Sequence, residues 1–285
     1  MIIQHLLYSL VQAAYRIVYY SSQPFQQNTL RRHHKGINTG NNKQNSSIMS
    51  STTEATATTT DNGTSDNVEW SSFDPTSELT VSASYQLCIS AIVPRPVAVI
   101  TSKDPKSGIL NCAPYSYTSL SGHDPVIVTH GLTVSRAIGK KDTLRNIEES
   151  GEWVYNVLST NYLEKANECA TSLPFEEDET AHAGLELIHD CIDVSVPRLK
   201  DAKVAMECKL IDKKEIFNDE GRHTSTIVIG RVKKFHLHSS IMKKGQSEKE
   251  PRVDLEAIQA VGRAGDITYW PVGTTPETIR PIERN

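Results

Sequence analysis

The sequence predicts a mainly β domain, a barrel or sandwich with helices packed outside it. Five short runs rich in Val, Ile or aromatic residues are bounded by turn residues: PVAVIT from Pro96, PVIVTH from Pro125, EWVYNVL from Glu152, AMECKLI from Ala205 and TSTIVIGRVKKFHLH from Thr224. Helical patterns are fewer than these runs. A chain of 285 residues with 38% hydrophobic content can also bury a sizeable core. This ratio of strands to helices favours a closed or layered β architecture.

A hairpin and three helices complete the expected elements. Between Thr101 and Leu110, SKDPKSG supplies Asp-Pro and Ser-Gly, so PVAVIT should pair with ILN through a tight reversal. The helix DTLRNIEES begins with capping residues and is followed by Gly151. The other helical stretches are YLEKANECAT and EEDETAHAG.

The chain should comprise a disordered polar tail over residues 1–68, a folded domain over 69–272 and a C-terminal tail over 273–285. From about Gln26 to Asn67 the residues are mostly Asn, Ser, Thr and Gln, which cannot offset the entropy cost of ordering. No stable membrane insertion is expected, because polar residues interrupt the apolar N-terminus.

Two interpretations of residues 1–48 stay open. The segment contains arginines and serines but no acidic residue, as a mitochondrial targeting segment does. The alternative is that translation starts at Met49 and that the protein is cytoplasmic, which we favour.

Charge and cysteine usage exclude several classes of protein. Residues 1–53 hold five basic residues and no acidic one, which leaves 25 basic against 34 acidic residues in the rest of the chain. This balance argues against nucleic acid as a partner. The five cysteines form no C-x-x-C pair, so neither a zinc ribbon nor a disulfide framework is indicated. His236 and His238 alternate on one strand, but the sequence places no third ligand, and we expect no metal site.

Three polar clusters are candidates for ligand binding. In NCAPYSYTS, from Asn111, the small donors and acceptors around Pro114 could line a polar heterocycle, or they could form an ordinary edge strand. Because Pro114 cannot donate to a ladder, we expect the backbone there to be released from pairing. In KKDTLRN, Lys141 and Thr143 at a helix start could hold a phosphate, or be surface residues beside a normal N-cap. In VPRPVA, Arg95 lies between two prolines and could present its guanidinium to a ligand or to solvent.

In order and content, these clusters resemble the FMN-binding split-barrel proteins of the flavin reductase-like type. The matching segments are RPVAVIT, NCAPYSYTS, GHDPV, IVTHG and KKDTLRNIEESGEW, and the resemblance extends over about Leu79 to Trp270. Val126 replaces the second proline of the family's Asp-Pro-Pro, Val99 stands where a larger residue is common, and RAGD replaces Arg, an apolar residue and two glycines. The pocket floor is therefore expected to differ in shape.

The resemblance implies a Greek-key-like split β-barrel that forms a homodimer and holds FMN non-covalently near the subunit interface. It further implies an oxidoreductase that takes hydride from NADH or NADPH, as a transient donor, and passes electrons to a small-molecule acceptor. The alternative is a non-catalytic FMN carrier or a partner subunit of a separate oxygenase. No catalytic acid, base or nucleophile is expected, because the flavin performs the chemistry.

The resemblance also assigns the cofactor-binding residues. Arg95, Lys141 and Thr143, with Asp142 capping the helix, are placed near the phosphate or ribityl chain. The remaining assignments follow the flavin's polar edge and the next strand, and they are Thr101, Asn111, Cys112, Ala113, Ser116, Thr118, Thr129 and His130. Arg263 and Tyr269 are further candidates from the C-terminal segment.

Overall fold

The computed structural model describes residues 70–265 and 268–273, and the mainly β class is confirmed within them. The predictions for the tail 1–68, and for the chain beyond residue 273, lie outside the described residues. In the part of the chain that is described, no helix is long and apolar enough to cross a membrane.

Twelve strands and five α-helices make up the described fold. The strands are β1 Arg95–Pro96, β2 Ala98–Lys103, β3 Leu110–Tyr115, β4 Thr118–His123, β5 Val126–Thr133, β6 Glu152–Val157, β7 Leu187–Ile188, β8 Arg198–Leu199, β9 Val204–Phe217, β10 His223–Leu237, β11 Val261–Arg263 and β12 Tyr269–Pro271. The helices are α1 Val81–Ala91, α2 Asp142–Ser150, α3 Leu163–Glu168, α4 Glu179–His182 and α5 Leu255–Ile258, with 3₁₀ turns at Thr160–Tyr162 and Ser239–Ile241.

Seven antiparallel strands form the main sheet, in the order β3-β2-β6-β9-β10-β5-β4. The two edge strands, β3 and β4, are consecutive in the chain and are joined only by Ser116 and Tyr117. Because two residues span only about 7 Å, the sheet must curl until its edges meet. The edges do not pair with each other, so the barrel stays split along this seam, and the Gly131 N–H donates to the Tyr117 carbonyl at 2.7 Å.

The predicted strands and the helix at Asp142 are confirmed, but the expectation for the NCAPYS backbone is wrong. Strand β3 pairs with β2 as far as Tyr115, and Pro114 lies opposite Val99. Proline is tolerated there because β3 is an edge strand with a partner on one side only. The backbone leaves the ladder only at Ser116 and Tyr117.

Two elements near the seam are absent from the sequence prediction. Helix α1 has no charged residue and buries only Ile89, so its apolar periodicity is weak. It is nevertheless capped by Thr80, whose hydroxyl accepts from the Ala83 N–H at 3.1 Å. Strand β4, TSLSGH, has a single large apolar residue, Leu120, and its pairing with β5 forms it.

The core lies on both faces of the main sheet. On one face Leu144 and Ile147 of α2 pack with Trp153, and all three side chains are fully buried. On the other face Cys112, Tyr162 and Leu199 belong to a second cluster beneath α3. Each fully buried large apolar side chain contributes about 1.5–3 kcal/mol, so α2 is held firmly against the sheet. That helix positions one wall of the site described next.

Candidate functional site

A polar cavity of about 440 Å³ opens at the seam of the barrel, and we call it the seam pocket. It lies at the connection between β3 and β4, and it is bordered by α1, the start of α2 and strands β5 and β11. Its lining residues are Tyr85, Ile89, Arg95, Pro114, Tyr115, Ser116, Tyr117, Gly131, Thr133, Lys141 and Arg263.

A close approach of two backbones brings Arg263 into the pocket. In the small sheet β1-β11-β12, Arg95 lies opposite Arg263 and Pro96 opposite Gly262. A Cβ at Gly262 would lie 2.7 Å from Pro94 Cβ and 3.3 Å from the Arg95 carbonyl oxygen, so only glycine allows this spacing. The glycine of VGR thus places two arginines, 168 positions apart in the chain, on one pocket wall.

The Arg95 guanidinium is buried and also has a structural task. Nη1 donates to the carbonyls of Ile89 and Ile92 at 2.7 and 2.6 Å, and Nη2 donates to the Ala264 carbonyl at 3.2 Å. The two Nη1 bonds satisfy carbonyls at the end of α1, where the last carbonyls of a helix lack intrahelical partners. Nε of Arg95 is buried without a partner among the described residues. Arg95 therefore lines the pocket with a fixed positive charge.

Lys141 lies at the point where the pocket meets the first turn of α2. It is the N-cap residue of α2, no side chain caps that end, and its ammonium lies 5.9 Å from the centre of the Tyr115 ring. The neighbouring Lys140 differs, since its Nζ lies 2.8 Å from a Glu148 carboxylate oxygen. The helix start therefore adds its partial positive charge to a lysine that forms no ion pair with a carboxylate in the described part of the chain.

The pocket is strongly electropositive. Arg95, Lys141 and Arg263 line it, and in the described part of the chain none of them forms an ion pair with a carboxylate. Arg263 instead stacks on Tyr269, with 4.3 Å between the guanidinium carbon and the ring centre. Three unpaired cations in a cavity favour a multiply charged anion.

Two predicted residues, Asn111 and Thr143, lie behind the pocket wall instead of lining it. The fully buried Thr143 hydroxyl accepts from Asn111 Nδ2 at 2.6 Å and from the Tyr115 hydroxyl at 2.9 Å. Burial raises the pKa of Tyr115, so its hydroxyl stays a donor. This group ties α2 to β3 and orients Tyr115, while the Thr143 N–H remains in the first turn of the helix.

Two further candidates, Thr129 and His130, lie on opposite faces of strand β5. His130 points into the core, where Nδ1 lies 2.9 Å from the Thr118 hydroxyl, and burial lowers its pKa to about 3. Thr129 alternates to the opposite face and hydrogen-bonds Ser121 at 2.8 Å. Gly131 and Thr133 share that face and line the pocket. His130 is thus a neutral core residue held by Thr118.

The other predicted residues have structural partners outside the lining. The Thr101 hydroxyl donates to the Pro197 carbonyl at 2.8 Å, Ala113 is partly buried against the core, and Asp142 pairs with Arg145. Cys112 is fully buried, and contact with Cys169 together with burial raises the pKa of its thiol. Of the twelve residues that the resemblance assigns to the cofactor, the cavity brings together Arg95, Ser116 and Lys141.

Glu179 supports β3 from the other side of the sheet. Its carboxylate accepts from the Cys112 N–H at 3.1 Å, and burial raises its pKa to about 7. The folded protein therefore takes up a proton that the unfolded chain does not bind at pH values between about 4.5 and about 7. In that window stability falls as pH rises.

At about pH 8 we expect the free energy of unfolding of Glu179→Gln to be higher than that of the wild-type protein by about 1–2 kcal/mol. This range allows for the screening of the Glu179 charge by solvent. The difference should shrink toward zero near pH 4.5, the ordinary value of the carboxyl group. Urea denaturation across this range measures it. Glu177→Gln, an exposed carboxylate two residues away, is the control and should shift stability by less than about 0.5 kcal/mol. A Glu179→Gln difference that does not change with pH contradicts the assignment.

Seven lining residues have no assignment from the sequence: Tyr85, Ile89, Pro114, Tyr115, Tyr117, Gly131 and Thr133. Tyr85 lies on helix α1, which the sequence pattern does not predict, and Tyr117 lies between the assigned residues Ser116 and Thr118. Gly131 and Thr133 lie two and four residues after Thr129 on β5. Because side chains alternate between the faces of a strand, this spacing indicates that both share a face with Thr129. A Cβ at Gly131 would lie 3.1 Å from Tyr117 Cβ, which explains a glycine at this crossing.

Comparison with known proteins places this geometry in a family. Residues 90–248 match the model of the flavin reductase like domain. The chain is 32% identical to nitrilotriacetate monooxygenase component B from Bacillus cereus, with a TM-score of 0.67, over 74% of this chain and 99% of that one. It is 26% identical to the 2-nitrobenzoate 2-nitroreductase NbaA of Pseudomonas fluorescens, with a TM-score of 0.62, over 74% and 96% of the two chains.

A third comparison concerns the fold alone. A Shewanella frigidimarina protein with a split barrel domain is 17% identical, with a TM-score of 0.59, over 71% of this chain and 94% of its own. The curled seven-stranded sheet with its open seam has the same architecture. The family match covers more than half of the chain, and the protein belongs to the flavin reductase like domain family as a split-barrel member.

Proposed function

We propose that the protein binds FMN with its phosphate in the seam pocket and transfers electrons from NADH or NADPH through the flavin to a small acceptor. The observation that carries this proposal is the cluster of Arg95, Lys141 and Arg263, which have no acidic partner among the residues that the structure describes, beside the open start of α2. Membership of the flavin reductase like domain family supplies the reaction class.

The residues present fit such a ligand in charge, polarity and size. A phosphate dianion requires cations and N–H donors, which Lys141, Arg263 and the first turn of α2 provide. The cavity, at about 440 Å³, lies within the usual range for cofactor sites, about 300–1,000 Å³. Glycine at position 131 keeps that part of the lining free of a side chain.

When bound, the flavin supplies the redox chemistry. The chain's contribution is binding and orientation. Lys141 and Arg263 hold the anionic end, the Ser116 hydroxyl and nearby backbone groups offer hydrogen bonds, and Tyr85 and Tyr117, both partly exposed, offer aromatic faces at the rim. No carboxylate or histidine lines the pocket among the described residues, so we assign no acid or base.

Two titrations test the proposal. FMN and riboflavin differ only in the phosphate, so quenching of flavin fluorescence by the protein should show much tighter binding of FMN. Anaerobic addition of NADH or NADPH should then bleach the bound flavin promptly. Equal affinity for FMN and riboflavin contradicts the phosphate site, and absorbance that stays unchanged over minutes contradicts the enzymatic part alone.

A second candidate function has one observation in its favour. The similar Bacillus cereus protein is named as component B of a monooxygenase, one part of a larger system. The present chain would then bind FMN but act only with a partner oxygenase. Turnover of NADH or NADPH by the purified protein alone would speak against this candidate.

We also propose a homodimer, which sedimentation analysis with and without FMN would test.

A further inference from the structure

We infer that Asp190, Cys191 and His236 form a binding site for a divalent transition metal of the Zn²⁺ type. One ligand atom from each residue lies within 4.8 Å of the other two. Carboxylate oxygen, thiolate sulfur and imidazole nitrogen are together the ligand set that Zn²⁺ prefers. None of these residues lines the seam pocket, and the inference does not depend on flavin binding.

The imidazole is already oriented for this role. His236 Nε2 lies 2.7 Å from Glu207 Oε1, and Glu207 is fully buried. An ionised carboxylate accepts from the protonated ring nitrogen, which leaves the lone pair on Nδ1 of the neutral ring for a metal. A carboxylate that fixes a histidine in this way is the usual outer partner of zinc-bound histidines.

The segment that carries the other two ligands is held by the same carboxylate. Glu207 accepts from the N–H groups of Ile192, Asp193 and Val194 at 3.3, 2.6 and 3.1 Å. The same carboxylate thus contacts both the His236 ring and three backbone N–H groups of the segment that follows Cys191. One buried anion on β9 therefore fixes both the imidazole and the chain beside Cys191.

The charges near the three ligands favour a divalent cation. Arg198 forms a bidentate ion pair with Asp190, in which Nε donates to Oδ1 and Nη2 donates to Oδ2, both at 2.8 Å. The carboxylates of Asp190 and Glu207 and the Arg198 guanidinium sum to a local charge of minus one, which becomes minus two when Cys191 gives up its thiol proton to bind a metal. Zn²⁺ neutralises this sum, and the thiol proton leaves to solvent as the metal–sulfur bond forms. Because Asp190 is exposed to solvent, a water molecule can take the fourth coordination position of the metal.

Cobalt is a coloured probe for this site, because Co²⁺ bound to thiolate absorbs strongly in the near ultraviolet. Reduced, tag-free protein titrated with Co²⁺ without oxygen should show a thiolate band that saturates at one equivalent and is bleached by Zn²⁺. The band should vanish in Cys191→Ser and in His236→Gln. It should persist in Cys88→Ser, which removes an exposed cysteine elsewhere in the chain. Absence of the band in the wild-type protein, or its persistence in Cys191→Ser, overturns the site.

A measurement on the wild-type protein alone guards against loss of folding in the variants. Zn²⁺ should protect the Cys191 thiol from an alkylating reagent, as read by peptide mass spectrometry, and leave the Cys88 rate unchanged. Equal alkylation of Cys191 with and without Zn²⁺ overturns the proposal, whatever the state of the variants.

Discussion

Replacing Lys141 and Arg263 together by alanine should weaken FMN binding about 100-fold or more. Each charge-assisted hydrogen bond to a phosphate contributes about 1.5–3 kcal/mol, so loss of two costs at least about 3 kcal/mol, and about 1.4 kcal/mol corresponds to a factor of ten. Both residues line the seam pocket and have no carboxylate partner among the described residues. Fluorescence titration of the double variant measures the change.

Two controls isolate the phosphate contribution. Lys140→Ala removes a lysine next to Lys141 that is already paired with Glu148, so FMN affinity should change by less than about twofold. Riboflavin affinity should be nearly equal in the wild-type protein and the double variant, because riboflavin lacks the phosphate. An equal loss for riboflavin and FMN would show that the substitutions disturb the fold and not a phosphate contact.

Gly230→Ala should destabilise the protein by about 3 kcal/mol or more. A Cβ at Gly230, on β10, would lie 2.2 Å from Trp153 Cη2 and 2.3 Å from Cζ2. Trp153 is fully buried in the core cluster beneath α2 and cannot swing into solvent. Overpacking of this kind forces the backbone or the ring to shift, with costs at or above the usual range of about 1–3 kcal/mol. Urea denaturation gives the change in free energy of unfolding.

A double-mutant cycle tests whether the indole causes that loss. Trp153→Phe removes the ring atoms nearest to the new methyl group, so Gly230→Ala should cost less in the Trp153→Phe background by about 1–3 kcal/mol. Gly265→Ala is the matched control, since its nearest contact would be Ser90 Cα at an ordinary 3.7 Å. Additive effects of Gly230→Ala and Trp153→Phe would refute the steric explanation.

Local patterns predicted most of the sheet but fewer of the site contacts. Alternating and continuous apolar runs identified β2, β5, β6, β9 and β10, because each pattern reports which faces of a strand are buried. Gly151 marked the end of α2, but the expectation that Asp142 caps the helix is wrong, because Lys141 is the N-cap residue and no side chain caps that end. Helix α1 and strand β4 lack such patterns, and their long-range contacts hold them. The resemblance to a family supplied the cofactor set, of which the cavity gathers Arg95, Ser116 and Lys141.

The sequence by itself determined the mainly β class, the presence of α2 and the arginine between two prolines, because each depends on residues close together in the chain. Tertiary structure alone decided which side chains meet. It placed Arg263 opposite Arg95, turned the Thr143 hydroxyl toward Asn111 and brought Cys191 beside His236. These contacts depend on sheet order and on the closure of the seam, and the free energy of packing the whole chain selects both.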